Sequence, residues 1–269
     1  MDISDQPIGI FDSGIGGLTV MKELMLKLPE ENLIYLGDTA RVPYGIRSPE
    51  TIIKYSIQNV NFLLKHHVKL IVIGCNTASA VATETLLNKF DLPIINVVNP
   101  GAVSAVNISR NHRIGIIGTR STINSGAYTR SIKKILPNAV TFSLACPLFV
   151  SLAEEGLCDP DDEIVTAVTR KYMAYFQHKQ IDTLVLGCTH YPLLMTAIQT
   201  VLGKRTRMVC SAKETALEVQ KLLLKNKLSR KSRTKPESVY YLTDLPDNFI
   251  ETGRLFLGQE MKNVHLIDI

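Results

Sequence analysis

The sequence predicts an α/β fold: two similar lobes, each a mostly parallel sheet flanked by helices, with a ligand-binding cleft between them. Three observations lead there. Strand-like apolar runs alternate with stretches of helical spacing along the chain, the pattern of parallel sheets covered by helices on both faces. The segments Leu70-Ile-Val-Ile-Gly-Cys75-Asn76-Thr77 and Leu184-Val-Leu-Gly-Cys188-Thr189-His190 repeat one arrangement: an apolar run, Gly, Cys, a small polar residue, then a helical stretch. Ile8-Gly-Ile10 and Ile114-Gly-Ile116 open two series of elements, and Cys75 and Cys188 follow these markers at comparable intervals.

In the first series, residues 7–11 read as a strand, 18–28 as a helix and 33–36 as a strand. Residues 50–66 form a helix, with Ile53, Ile57, Val60 and Leu64 at helical spacing. A strand at 69–73, a helix at 78–90 and a strand at 93–97 follow. Asn99-Pro100-Gly101 then interrupts the pattern and marks a crossover between lobes. The second series has a strand at 113–117, a helix at 124–136 and a strand at 140–144. Its next helix, 164–176, is opened by Asp161, Asp162 and Glu163, which suit the helix dipole. A strand at 181–186 and a helix at 192–202 lead to Met208-Val209. A helix at 214–224, a strand at 238–242 and a helix at 248–257 complete the chain. The expected lobes are 1–98 plus 210–269, carrying Asp12 and Cys75, and 99–209, carrying Cys188 and His190.

With 269 residues, 45% of them hydrophobic, the chain can bury substantial cores. No run approaches the ~20 apolar residues of a membrane span. The start, Met1-Asp2-Ile3-Ser4-Asp5, is acidic and polar, unlike a signal peptide. Five cysteines, an odd number without CxxC spacing, read as reduced thiols in the cytoplasm. Cys146, Cys158 and Cys210 read as small core hydrophobes. The net charge of +5 is uneven, with Lys225 to Lys235 strongly basic. That stretch is either an anion or nucleic-acid contact or a solvated loop after a helix. It contains no aromatic residue on which a base can stack, so the loop reading is preferred.

Each repeated cysteine stands just past a strand's C-terminal end, where open α/β sheets bind ligands. A helix N-terminus lowers a thiol's pKa from about 8.5, and the free N–H groups of both helix starts can hold a carboxylate. Thr77 can cap its helix while Asn76 directs its amide into the cleft. Pro192 favours a first helical turn, placing Thr189 or His190 at the cap. His190 can tune Cys188 or donate a proton. Zinc needs three or four ligands at suitable spacing, and only His190 stands near a cysteine, so no metal is expected. The loop Asp12-Ser13-Gly14-Ile15-Gly16-Gly17 fits neither phosphate-binding glycine motif. Asp12 either caps a helix or puts a carboxylate in the cleft that orients an ammonium or assists a base. Pro43-Tyr44-Gly45 is a rigid turn that either presents a phenol and a backbone amide or serves structure alone.

Five segments together resemble the cofactor-independent glutamate racemases: Phe11 to Thr19, Tyr35 to Gly45, Cys75 to Ser79, Cys146 to Val150 with Glu154-Glu155-Gly156, and Gly187 to Pro192. The resemblance implies an active site between the lobes, interconversion of L- and D-glutamate, and supply of D-glutamate for peptidoglycan. It implies that Cys75 and Cys188 are the acid/base thiols and that Asp12, Glu154 and His190 assist them. Ser13, Tyr44, Gly45, Asn76, Thr77 and Thr189, with Asp12 and His190, match substrate contacts. The resemblance implies no cofactor, and nothing in the sequence suggests pyridoxal phosphate. A homodimer is compatible with it. Asn99 and Cys210 stand where the family usually carries Glu and Asp. The long N-terminal extension of some members is absent, so regulation by a cell-wall precursor through it is not expected. Two alternatives are a racemase acting on aspartate and a non-catalytic amino-acid- or nucleic-acid-binding protein.

Overall fold

The computed structural model describes residues 2–269; Met1 of the polar start lies outside them. Among the described residues, ten strands form two parallel sheets. β1 (Ile8–Asp12), β2 (Leu33–Gly37), β3 (Leu70–Ile73) and β4 (Ile94–Asn96) come first, then β5 (Arg113–Gly118), β6 (Val140–Ala145), β7 (Thr183–Gly187) and β8 (Arg207–Cys210), and last β9 (Ser238–Leu242) and β10 (Val264–Leu266). The larger sheet runs β10-β9-β2-β1-β3-β4 and the smaller β6-β5-β7-β8. Setting β9 and β10 aside, the two orders correspond strand for strand. β3 and β7, which lead to the repeated cysteines, are therefore topological counterparts.

The apolar runs reflect burial on both faces of a sheet, where alternate residues enter opposite layers. Ile8, Ile10, Leu70 and Val72 pack in one core with Leu18, Met21 and Leu24. Phe11, Ile71 and Ile73 enter the other, with Val60 and Leu63. Register places Ile10 between Tyr35 and Val72.

The chain does pass from the larger to the smaller sheet between β4 and β5, but Asn99-Pro100-Gly101 is not a break: it lies in the first turn of the connecting helix, Val98–Ile108. Proline is tolerated there because the first-turn N–H groups have no intrahelical partner. This helix packs against Ser211–Lys225, which also packs on Leu18–Lys27, so the two helices lie at the junction of the sheets. The single helix expected at 124–136 is two, Arg120–Ser125 and Ala127–Ile135, broken at Gly126 with φ of +65°. That left-handed conformation suits glycine. The helix Leu148–Glu154 and the short edge strand β10 had no distinct sequence signal.

At the N-terminal edge of the larger sheet, opposite the cysteines, the basic segment is tied down within the chain. The Lys69 ammonium is buried and donates to Glu31, to Ser4 O at 2.6 Å and to Leu228 O at 2.9 Å. Glu31 in turn accepts from Arg230 N at 2.9 Å. Asp5 accepts from the backbone of Lys231 and Ser232, and the Arg230 guanidinium donates to the carbonyls of Glu30, Ser232 and Thr234. Among the described residues, no helix is long and apolar enough to cross a membrane.

Candidate active site

Cys75 follows β3 and caps the helix Asn76–Lys89 itself, its Sγ accepting from Ala78 N at 3.5 Å. Thr77 is therefore not the cap. Its hydroxyl instead meets Thr119 Oγ1 at 3.0 Å and Thr122 Oγ1 at 3.3 Å on the smaller sheet's side. The Cys75 thiol donates to Ser13 Oγ at 3.5 Å. Burial first, and then the neighbouring Asp12 carboxylate, push this thiol's pKa up to about 12.

Asp12 ends β1. Its Oδ2 accepts from Gly14 N at 2.9 Å, whereas the following helix is capped at Gly17 with no side-chain bond. The cap reading of Asp12 is thus replaced by a buried carboxylate whose Oδ1 has no partner. Burial raises its pKa against the opposing influence of His190. Asp12 consequently lies within electrostatic reach of both cysteine loops.

Cys188 follows β7. Its Sγ lies 3.6 Å from His190 Nδ1, and His190 Nε2 lies 2.9 Å from Glu154 Oε1. Burial alone would lower the imidazole's pKa; the bonds to Cys188 and Glu154 outweigh it and raise the value to about 10. His190 occupies the cap position of a short turn, Tyr191–Leu194, without a side-chain capping bond. The Thr189 carbonyl accepts from Thr19 Oγ1 at 2.9 Å. Glu154 ends the helix Leu148–Glu154, and a small open cleft of about 180 Å³ lined by Gly14, Val42, Glu154 and Phe249 reaches it from solvent.

The turn at 43–45 differs from one expected reading. The Tyr44 hydroxyl is not presented: it donates to the buried Asp38 and accepts from Asn59 Nδ2 at 3.2 Å. Gly45 abuts Thr119, so close that a Cβ on it would lie 3.0 Å from Thr119 Cβ. Asn76 is buried, its Oδ1 accepting from Tyr128 Oη at 2.6 Å. Among the described residues, no group of three or more His, Cys, Asp or Glu is placed to hold a metal ion.

Three features escaped the sequence reading. Thr119 is the counterpart, after β5, of Ser13 after β1, and the internal echo could have found it. Gly16 lies against the Cys188 loop: a Cβ there would fall 2.4 Å from Thr189 Oγ1 and 2.5 Å from His190 Cε1. Phe256, on the helix Phe249–Leu257, meets the His190 ring edge-on at 5.2 Å. Neither contact has a local signal.

The arrangement supplies two thiols at equivalent strand ends. One has a carboxylate and a hydroxyl beside it, the other an imidazole–carboxylate pair. The sequence pattern of the Asp/Glu/hydantoin racemase family matches residues 18–218. The chain is 45% identical over 262 residues to a glutamate racemase of Geobacter metallireducens, covering 97% of this chain and 96% of that one. Its fold is similar to glutamate racemase of Francisella tularensis, solved with D-glutamate (TM-score 0.93, 40% identity, 98% of each chain). It is also similar to a glutamate racemase isoform of Bacillus anthracis (TM-score 0.94, 34% identity, 99% of this chain and 98% of that one).

Proposed function

Because the chain belongs to the glutamate racemase family, we infer that it interconverts L- and D-glutamate, one cysteine thiolate removing the Cα proton and the other cysteine thiol returning its own to the opposite face, supplying D-glutamate for peptidoglycan. One observation carries the chemistry: Cys75 and Cys188 stand at counterpart strand ends, each with its own acid/base company. Racemisation must remove a proton from one face and return one to the other. Two bases on opposite walls can do both.

By family analogy, Cys188 takes the proton from L-glutamate and Cys75 from D-glutamate. The raised pKa of Cys75 keeps it a thiol in the free protein. His190 touches the Cys188 sulfur through Nδ1 and Glu154 through Nε2, so it is placed to hold or pass a proton beside that sulfur. In the L-to-D direction Cys188 as thiolate accepts the α-proton, with Glu154 orienting His190, and Cys75 delivers its own proton to the opposite face. Asp12 stands ready to assist the Cys75 transfer in both directions. The α-proton is a very weak acid, so the carbanion needs stabilisation in a dry, preorganised site. The backbone and side chains of Ser13, Tyr44, Gly45, Asn76, Thr77 and Thr189 are the proposed substrate contacts. The Tyr44 contribution is through its backbone, because its phenol is engaged with Asp38. The scheme assigns every proton movement to side chains and calls for no cofactor. The expected setting is the cytoplasm, where the thiols stay reduced.

The test is polarimetry on purified protein with L-glutamate in D₂O and no added cofactor. Loss of rotation with deuterium at Cα supports the reading. A preference for aspartate in a substrate panel would replace the substrate, and no exchange with either amino acid would leave a binding protein.

A further inference from the structure

Tyr128 belongs to the helix Ala127–Ile135 beside the smaller sheet, yet it reaches both cysteine loops. It is almost completely buried, at 2% exposure. Its hydroxyl donates to Asn76 Oδ1 at 2.6 Å, on the residue after Cys75. Its ring lies against Gly187, the residue before Cys188, where a Cβ would come within 3.0 Å of Cε2. The far edge faces Gly101, where a Cβ would come within 3.3 Å of Cε1. Two glycines thus leave a slot the width of the ring. This explains Gly101 of the Asn99-Pro100-Gly101 segment, which the sequence marked only as a break. A weaker tie runs parallel: Asn76 Nδ2 donates to Ser211 Oγ at 3.5 Å, and Ser211 Oγ to Leu186 O at 3.5 Å.

We propose that Tyr128 is a positioning residue for both thiols: its hydroxyl fixes the Asn76 amide beside Cys75, and its ring holds the Gly187–Cys188 backbone at a set distance. The inference rests on the racemase reading above. Two consequences follow from the geometry. With its oxygen committed to the phenol, the Asn76 amide has only N–H to offer a substrate, which suits a carboxylate. Burial also pushes the phenol's pKa well up, so the hydroxyl remains a donor. The ring is incompressible at these contacts, so it limits how closely the two loops approach. Proton transfer is steep in donor–acceptor distance, and a misplacement of ~1 Å can cost ~10²-fold in rate.

The experiment compares wild type with Tyr128→Phe, Tyr128→Leu and Ile132→Ala. Ile132 is buried on the same helix and serves as a control for lost packing alone. Removing the hydroxyl while keeping the ring should raise KM for glutamate roughly fivefold, the worth of one hydrogen bond, with kcat within about twofold. Removing the ring should lower kcat at least ~10-fold and enlarge the α-deuterium isotope effect as the transfer distance relaxes. Ile132→Ala should lower the melting temperature and leave KM and the isotope effect unchanged. An unaltered KM in Tyr128→Phe overturns the proposal, as do Tyr128 variants whose losses merely track their melting temperatures. If Tyr128→Leu does not fold, the KM of Tyr128→Phe decides. Failure of the racemase reading is separately visible, because wild type itself would then exchange no α-proton.

Discussion

His190 bridges Glu154 and Cys188 through its two ring nitrogens, at 2.9 and 3.6 Å respectively. Its pKa rises from 6.5 to about 10 in the folded protein. A group whose pKa is raised by folding contributes stability that is complete below its unfolded value and lost as pH rises through the folded one. The melting-temperature difference between wild type and His190→Asn should therefore be largest near pH 6 and shrink steadily toward pH 10. A difference independent of pH would show that the imidazole is neutral throughout.

Removing either thiol should abolish most turnover, since positioned acid/base groups contribute ~10²–10⁴-fold each. Cys75→Ala and Cys188→Ala should both show this loss by polarimetry. Cys146→Ala, Cys158→Ala and Cys210→Ala should each retain kcat within about twofold, because among the described residues no hydrogen bond joins these sulfurs to either thiol loop. Turnover near wild type in either of the first two variants would exclude a two-base mechanism.

Asp12 should show a conflict between stability and activity. Its carboxylate is buried with one oxygen unpartnered, and burial raises its pKa. Ionising it therefore costs more in the folded protein than in the unfolded chain. Asp12→Asn keeps the acceptor for Gly14 N and removes the charge, so the melting temperature should rise at pH 7 while kcat falls. A lower melting temperature would mean that the charge has a stabilising partner in solution.

Gly16→Ala should damage the Cys188 side specifically. The new methyl would meet Thr189 Oγ1 and His190 Cε1 far inside van der Waals contact, and overpacking typically costs ~1–3 kcal/mol. The His190 ring must move to relieve it, so kcat should fall at least ~10-fold with this misplacement. An activity loss no greater than the loss of folded protein would contradict the displacement of His190.

The Lys69–Glu31 pair predicts the opposite pattern. Glu31→Gln leaves a buried ammonium without its counter-ion, and breaking a buried pair typically costs ~3–5 kcal/mol. Denaturant unfolding should register that loss, while KM measured on the folded protein stays unchanged, since this cluster lies at the edge of the sheet away from the thiols. A changed KM would indicate coupling through the sheet.

How much of this was legible in the sequence depended on the range of the interactions. Cys75 and Cys188 could be placed because uninterrupted apolar runs, β3 and β7, carry their position locally. Glu154 could be assigned only through family resemblance. Its helix is short and apolar, and its partner His190 is remote along the chain. The Asn99-Pro100 signal was misread because a proline in the first helical turn looks locally like a break. Gly126 ended one helix and began another through its backbone conformation, which helical spacing does not encode. Tyr128, Phe256 and Gly16 owe their importance to contacts with distant loops, which leave no periodicity to detect. For Tyr44 display and a purely structural turn both stayed open, because a turn motif does not fix where its side chain points; buried Asp38 draws this one inward.

The matching strand orders place the two thiols at corresponding points of two similar sheets, but their companions differ: Asp12 and Ser13 beside one, His190 and Glu154 near the other. Mirror-image molecules have identical free energies in water, so the equilibrium constant between L- and D-glutamate is unity. The ratio kcat/KM must then be the same for both enantiomers, however unlike the two walls are. The unequal chemistry of the walls can appear only as paired differences in kcat and KM that cancel in the quotient. A substitution on either wall, even one touching a single thiol, must lower this quotient equally in both directions.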